Sequence, residues 1–274
     1  MVKIAPEISL VITTYNSPVF LELVLKSVLR QRVFPLEVII ADDGSGEETR
    51  QLIEHYKEIM PVPLIHSWIP DKGFRVAKSR NLAISKTSGK YIVLIDGDIV
   101  VGPSFIKDHR SLMRLGQFVT GSRARLGKKA TEERCRTKNA VIHIWSKGLG
   151  RRLVLMRIPF MHHLIKGKRG LSHARSCHMA FWKEDFIKIN GFEENFEGWG
   201  YEDSELVQRF YNIGLHRKNA KLLACATHLY HPEKSMDRAD KNHDMLNQTI
   251  ASKKKKAVLG INQYLHYDTE NFAL

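Results

Sequence analysis

Cysteine is scarce in this chain of 274 residues: Cys135, Cys177 and Cys225 stand far apart, with no CxxC among them. That argues against a disulfide framework and a structural zinc site, and it fits a reducing cytoplasm. No stretch approaches the roughly 20 apolar residues that span a bilayer. The start has no basic segment followed by an apolar run of about 7 to 15 residues, so neither export nor a membrane span is expected. Internal repeats and extended low-complexity tracts are missing. No Gly-rich phosphate loop precedes Asp42, which weighs against nucleotidyl transfer.

With 43% hydrophobic residues the chain is long enough for one large α/β domain with a core of ordinary size. Its net charge of +14 is uneven: residues 123 to 170 carry fourteen Lys and Arg against Glu132 and Glu133, a local excess of +12. A segment of this kind can meet nucleic acid, an anionic bilayer face or an acidic polymer. The segment has no nucleic-acid module and no regular interleaving of aromatics with bases, so nucleic acid is not the expected partner. Lys253 to Lys256 is a short basic run, read as solvated surface or a weak second contact.

From Ile8 to about Ser122 short β-branched runs alternate with helical patterns, the signature of βαβ units on a mostly parallel sheet. Strands are expected over Ile8–Thr13, Glu37–Ala41, Pro63–Ser67 and Tyr91–Ile95. Helices are expected over Pro18–Arg30, Glu47–Lys57 and Arg75–Ser85. Ligands of open sheets bind beyond the carboxyl ends of the strands. That rule makes one rim of Thr14-Tyr15-Asn16, Asp42-Asp43-Gly44-Ser45 and Asp96-Gly97-Asp98. Further on, Val141 to Leu164 mixes large apolar residues with Lys147, Arg151, Arg152 and Arg157. Two outcomes stand open, an interfacial helix with cationic edges or a core helix pair with a solvated basic face, and Pro159 argues against one continuous helix.

Asp96 and Asp98 end a buried strand, where carboxylates one residue apart can face the crevice and hold a divalent cation with an anionic ligand. Asp and Gly are also ordinary turn residues, so position after an apolar strand is what gives the pair weight. Asp42 and Asp43 could accept from the imide N–H of a uracil, or simply cap a turn. Thr13 and Tyr15 offer hydroxyl and ring contacts to a nucleoside, and Arg80 could reach a nucleotide from the third helix. Glu202 and Asp203 open a helix whose apolar face is Leu206, Val207, Phe210 and Ile213, with Gly214 as its stop. First-turn acids are common for dipole reasons alone. The preceding Gly198-Trp199-Gly200-Tyr201 has no such explanation: a Trp between glycines can pack on a pyranose face and bring the carboxylates to it. His228 and His231, spaced i and i+3, could both reach a metal, or one could; Mn²⁺ suits a mixed Asp and His site, with Mg²⁺ as the alternative.

These stretches, together with Ser79-Arg80-Asn81, Cys177-His178-Met179-Ala180-Phe181 and the run from Ile189 to Leu206, resemble inverting family 2 glycosyltransferases of the GT-A fold. The resemblance is to the branch sharing its C-terminal half with galactosyltransferases and the bacterial chondroitin polymerase, over about 220 residues. It implies a nucleotide-sugar donor, most often UDP-linked, bound by Thr13, Tyr15, Asp42, Asp43, Arg80, Asp96 and Gly97. Asp98 would hold the metal with His231 and His228. Asp203 would be the catalytic base, with Glu202, Trp199, Gly200 and Tyr201 at the acceptor and Trp199 also at the donor. His178 stands where relatives often carry Asn beside the donor sugar, which implies a sugar other than the usual N-acetylhexosamine or galactose.

The expectation is one GT-A domain over 1–262: a nucleotide-sugar half (1–122), a basic amphipathic, helical insertion (123–170) and an acceptor half (171–232), with a C-terminal extension (233–274). The expected activity is metal-dependent hexosyl or N-acetylhexosaminyl transfer to a saccharide or lipid-linked saccharide, in assembly of lipopolysaccharide, capsule or another bacterial surface polysaccharide. The insertion would contact an anionic membrane surface at the inner leaflet. A non-catalytic basic module on a transferase-like fold is the competing class, and retaining transfer is a third possibility.

Overall fold

The computed structural model describes residues 2–165, 167, 170–171, 175–232 and 239–265. Lys166, Lys168 and Arg169 of the basic segment, and 233–238 and 266–274 of the C-terminal extension, lie outside the described residues. The N-terminal half alternates β1 (Ile4–Thr14), α1 (Pro18–Leu29), β2 (Phe34–Asp42), α2 (Glu47–Ile59), β3 (Leu64–Trp68), α3 (Val76–Ser85) and β4 (Tyr91–Asp96). Pro18 sits in the first turn of α1, where its missing N–H costs nothing. Then come β5 (Ile99–Val101), α4 (Phe105–Leu112), β6 (Gln117–Thr120), β7 (Ala124–Leu126), α5 (Lys128–Thr137) and β8 (Leu149–Gly150). The remainder is β9 (His178–Trp182), α6 (Lys183–Lys188), α7 (Glu202–Asn212), β10 (His216–Asn219), β11 (Ala226–His228), α8 (Ala239–Ser252) and α9 (Asn262–Leu265).

Seven strands form the main sheet in the order β10-β6-β9-β4-β1-β2-β3. β1 to β4 run parallel, and β9 lies antiparallel between β4 and β6. Leu10, Ile12, Val38, Ile40, Val93 and Ile95 pack against α1 on one face. Val11, Ile39, Ile92 and Leu94 pack with Phe181, Phe186 and Phe210 on the other. Continuous apolar runs are what a sheet buried on both faces requires. Thr13 pairs with both Ala41 and Asp96, so the expected rim is one physical edge. All four expected strands and three expected helices are present, β1 starting four residues earlier than its apolar pattern suggests.

A second sheet, β5-β11-β7-β8, lies beside the rim. Its register sets His228 opposite Ile99, and the Leu229 N–H donates to the Asp98 carbonyl at 3.0 Å. The histidine motif, 130 residues downstream, is thereby stitched to the residue after Asp98.

Residues 141 to 164 correct both expected outcomes: they form neither an interfacial α-helix nor a core helix pair. Two short 3₁₀ turns, Arg152–Leu155 and Pro159–Leu164, replace them. Gly148 and Arg151 take left-handed backbone conformations (φ 69° and 55°) that no α-helix continues through, and Pro159 starts the second turn. Among the described residues of the basic insertion, α5 is the one α-helix.

Candidate active site at the sheet rim

The site is organised around the Arg80 guanidinium, which is 3% exposed. Its Nε donates to Thr13 Oγ1 at 3.1 Å, Nη2 to Asp96 Oδ1 at 2.9 Å and Nη1 to Glu202 Oε1 at 3.3 Å. The cation also sits 5.3 Å from the centre of the Phe192 ring. Burial works against the charge, but Asp96, Glu202 and Asp203 outweigh it and raise the Arg80 pKa. Arg80 is therefore buried and fastens β1, β4 and α7 together; the sequence expectation, a reach from the third helix to a nucleotide, says nothing of this joint.

Burial, then the neighbouring Asp203, raises the Glu202 carboxyl to about 7, and Arg80 opposes the rise. Asp203 is also raised by burial, against Arg80 and the Ser176 N–H, which donates to its Oδ2 at 3.3 Å. Two adjacent acids thus share one cation, and a proton acceptor in this pair titrates above the ordinary carboxylate range.

The loop before α7 is held in an unusual form. Gly198, Gly200 and Tyr201 all have positive φ (74°, 106° and 71°), and the Gly200 backbone angle is one that a residue with a side chain adopts only with strain, although no neighbour lies within 4 Å of where a Cβ would stand. The Gly198 N–H donates to the Phe74 carbonyl. From α8, Asn242 Nδ2 donates to the carbonyls of Glu197 and Gly200 at 3.2 and 3.1 Å. Trp199 is left 40% exposed on this braced loop, consistent with a platform for a ligand ring. Tyr201 instead faces His243, ring centres 5.1 Å apart.

At the carboxyl ends of β1 and β2, Asp43 Oδ2 accepts the Arg75 N–H at 2.8 Å, and the Tyr15 hydroxyl donates to Asp71 Oδ2 at 2.9 Å. Asp42 is a correction to the expected donor contacts. It is fully buried and accepts from the Gly44 and Ser45 N–H groups (3.2 and 2.8 Å), while His66 Nε2 lies 2.8 Å away. Its carboxylate is consumed in shaping the turn that presents Asp43. The Gly97 N–H donates to the Thr13 carbonyl at 2.7 Å, and a Cβ there would lie 2.8 Å from that oxygen. Close approach to β1 alone is enough to demand the glycine.

Asp98, His228 and His231 bring one ligand atom each to within 4.8 Å of one another. Asp98 Oδ2 lies 3.5 Å from His228 Nε2 and 3.0 Å from His231 Nε2. Asp98 Oδ1 is buried with no hydrogen-bond partner among the described residues. Burial lowers the His228 pKa, keeping the imidazole neutral as a ligand must be. His231 Nδ1 lies 2.7 Å from the Pro232 carbonyl; an N–H there would leave Nε2 as the ligating nitrogen. One carboxylate and two imidazoles fit a first-row divalent ion better than Mg²⁺, which prefers oxygen.

His178 does not reach the crevice. It is 1% exposed, with Nε2 3.0 Å from His109 Nε2, and burial lowers its pKa to about 3. The inference it carried about the donor sugar therefore loses its basis.

Sequence reasoning missed three contributors. Arg123 leaves the carboxyl end of β6, and its charge acts on His228 and His178; its Nε is buried with no hydrogen-bond partner among the described residues. The strand-end rule would have found it, had it not been counted among fourteen cations of a diffuse segment. The Ser176 N–H and Asn242 act through backbone geometry and left no signal in sequence.

Two family models match: Glycosyl transferase family 2 over residues 9–174 and N-terminal domain of galactosyltransferase over residues 162–232. Chondroitin synthase of Escherichia coli is 23% identical over 241 residues, covering 78% of this chain and 33% of that protein. Validoxylamine A glucosyltransferase of Streptomyces hygroscopicus subsp. limoneus is 26% identical, covering 77% of this chain and 49% of its own. The chain thus spans a third to a half of the length of these relatives. Among solved structures, Staphylococcus aureus TarS 1–349 in complex with UDP superposes with a TM-score of 0.63 at 16% identity, over 94% of this chain and 68% of that one. The mannosyltransferase PcManGT of Pyrobaculum calidifontis, in complex with GDP-Man and Mn²⁺, gives 0.58 at 15% identity, over 95% of this chain and 68% of that one. The central sheet is that of the GT-A fold.

Proposed function

This chain belongs to glycosyl transferase family 2, and from that premise we propose that it moves a hexosyl or N-acetylhexosaminyl group from a UDP-sugar to a saccharide acceptor with inversion. The observation that carries the reading is the Arg80 guanidinium, which joins Asp96 on the nucleotide rim to Glu202 beside Asp203. One rigid element thereby ties the donor side of the crevice to the acids that open α7.

Asp203 is the proposed base: it takes the proton from an acceptor hydroxyl as that oxygen attacks the anomeric carbon and the diphosphate leaves from the opposite face. Burial raises its pKa above the ordinary aspartate value, which makes it a stronger proton acceptor than a solvated aspartate. Glu202 and the exposed Trp199 orient the sugar, and Asp43 and Tyr15 hold the base of the nucleotide. Asp98, His228 and His231 would hold Mn²⁺ in preference to Mg²⁺; bound there, the ion supplies positive charge to the diphosphate oxygens. The Arg123 cation adds to that field from the protein side.

The named relatives include a chondroitin synthase and a validoxylamine A glucosyltransferase, and the acid-poor basic insertion favours a polymer-building role of the first kind for this chain. Assembly of a bacterial lipopolysaccharide or capsule on a lipid-linked acceptor, at the inner leaflet, is the setting we propose. The test is a screen of UDP- and GDP-sugars for nucleotide release with Mn²⁺ or with EDTA, comparing wild type and Asp203→Ala. Release from one UDP-sugar, abolished by EDTA and by the substitution, is expected. No turnover of any nucleotide sugar with Mn²⁺ present would end the proposal.

A further inference from the structure

Among the described residues, four highly exposed large apolar side chains fall within one short stretch of the basic insertion. Trp145 is 79% exposed, Phe160 75%, Leu153 72% and Leu164 62%. Elsewhere Leu115 and Val258 are as exposed but stand in separate parts of the chain, as scattered surface apolars usually do.

These side chains project from a frame that is already satisfied. Val154 and Leu155 pack against the cluster of Leu23, Ala124, Leu126 and Leu149. The Ile158 N–H donates to the Leu222 carbonyl, and His162 Nδ1 lies 2.9 Å from the Lys221 carbonyl. Lys218 Nζ donates to the Ile165 carbonyl at 2.7 Å, and Arg157 grips Asp108 through two nitrogens. Arg152 Nη1 donates to the Ile144 carbonyl at 2.9 Å, which sets the Trp145 turn beside the Leu153 turn. The second 3₁₀ turn is thus fastened to residues 218 to 222, and the Leu155 carbonyl of the first accepts from Cys225 Sγ at 3.3 Å, directly before the strand that ends at His228.

Charge says what covers this surface. No Asp or Glu occurs between Glu133 and Glu184, while Lys147, Arg151 and Arg152 are exposed among the apolar residues. A soluble polyanion would satisfy the cations and leave the Trp, Phe and Leu side chains in water. The interface of an anionic phospholipid bilayer satisfies both, with the apolar side chains at the boundary between headgroups and acyl chains and the cations at the phosphates. We propose that residues 141 to 164 form a rigid, non-helical docking surface for an anionic phospholipid membrane, with Trp145, Leu153, Phe160 and Leu164 inserted and Lys147, Arg151 and Arg152 at the headgroups. The proposal rests on the preceding reading only for the purpose of the contact, which is to bring a lipid-linked acceptor to the crevice.

The experiment is flotation of the full chain with vesicles of phosphatidylcholine alone or with about 30% phosphatidylglycerol, at about 0.1 M salt. Binding to the anionic vesicles is expected, with Lys147→Gln/Arg151→Gln weakening it about thirtyfold and Trp145→Ala/Phe160→Ala about tenfold or more. Brominated lipid should quench emission from the wild type and not from Trp145→Phe, a readout that needs no disruptive substitution. Because none of this requires sugar turnover, failure here is distinct from failure of the donor screen. Absence of vesicle binding at low salt would overturn the proposal. So would binding to DNA or an acidic polysaccharide that matches vesicle binding and ignores Trp145→Ala/Phe160→Ala.

Discussion

Arg80 Nη1 and Glu202 Oε1 meet at 3.3 Å across 122 residues of sequence. The contact joins the helix after β3 to the helix that opens with the two acids, and the same guanidinium reaches Asp96. A buried cation with three oxygen partners is a joint: removing it leaves Asp96 and Glu202 facing each other without a counter-charge.

Replacing Arg80 by Ala is therefore expected to cost about 3–5 kcal/mol of stability, read as a lower urea midpoint. Arg80→Lys should recover only part of it, because an ammonium cannot donate along three fixed directions at once. Equal stability of the Lys variant and wild type would show that charge alone matters here.

The pH dependence follows from the direction of the shifts. Asp203 must be ionised to accept a proton, and burial raises its pKa, so kcat/KM should fall on acidification with a midpoint above the usual Asp value of about 3.9. Arg80 lowers the pKa values of both Asp203 and Glu202, so Arg80→Gln should move that acid limb to higher pH. A limb unmoved or shifted downward would place the essential base elsewhere.

For the metal, titration calorimetry with Mn²⁺ and UDP is the direct check. Asp98→Ala and His231→Ala are each expected to weaken Mn²⁺ binding by about tenfold or more, while thermal stability in EDTA changes little. Unaltered Mn²⁺ affinity in both variants would remove the Asp98, His228 and His231 cluster as the site.

Gly97→Ala tests packing rather than ligand contact. A Cβ would press on the Thr13 carbonyl at 2.8 Å, and a loss of about 1–3 kcal/mol is expected. Because the clash is with backbone, a compensating side-chain change on β1 should not restore the stability measured by urea denaturation.

Much of this site was legible without coordinates. Apolar runs of β-branched residues ending in Asp mark strands whose carboxyl ends carry polar side chains, and parallel pairing then makes those ends neighbours. Asp42 and Asp43 show the limit of that logic. Adjacent residues on a strand point to opposite sides, so the pattern names both, while only the structure divides them into one that shapes the turn and one at the rim. The apolar and basic residues of 141 to 164 show a different limit. Composition gives an amphipathic segment, but left-handed backbone at Gly148 and Arg151 decides that it is not a helix.

The sequence by itself determined the family, the order of the main elements and the acids and histidines of the candidate site. Those features depend on local periodicity and on motifs a few residues long. Tertiary structure decided which of these groups meet. The second sheet's register carries His228 to Asp98, and Arg80 is drawn beneath the rim by Thr13, Asp96 and Glu202. Asn242 of α8 braces the Trp199 loop. Each of these contacts closes a long loop of chain, and the burial of whole sheet faces, rather than any local preference, provides the free energy that holds it.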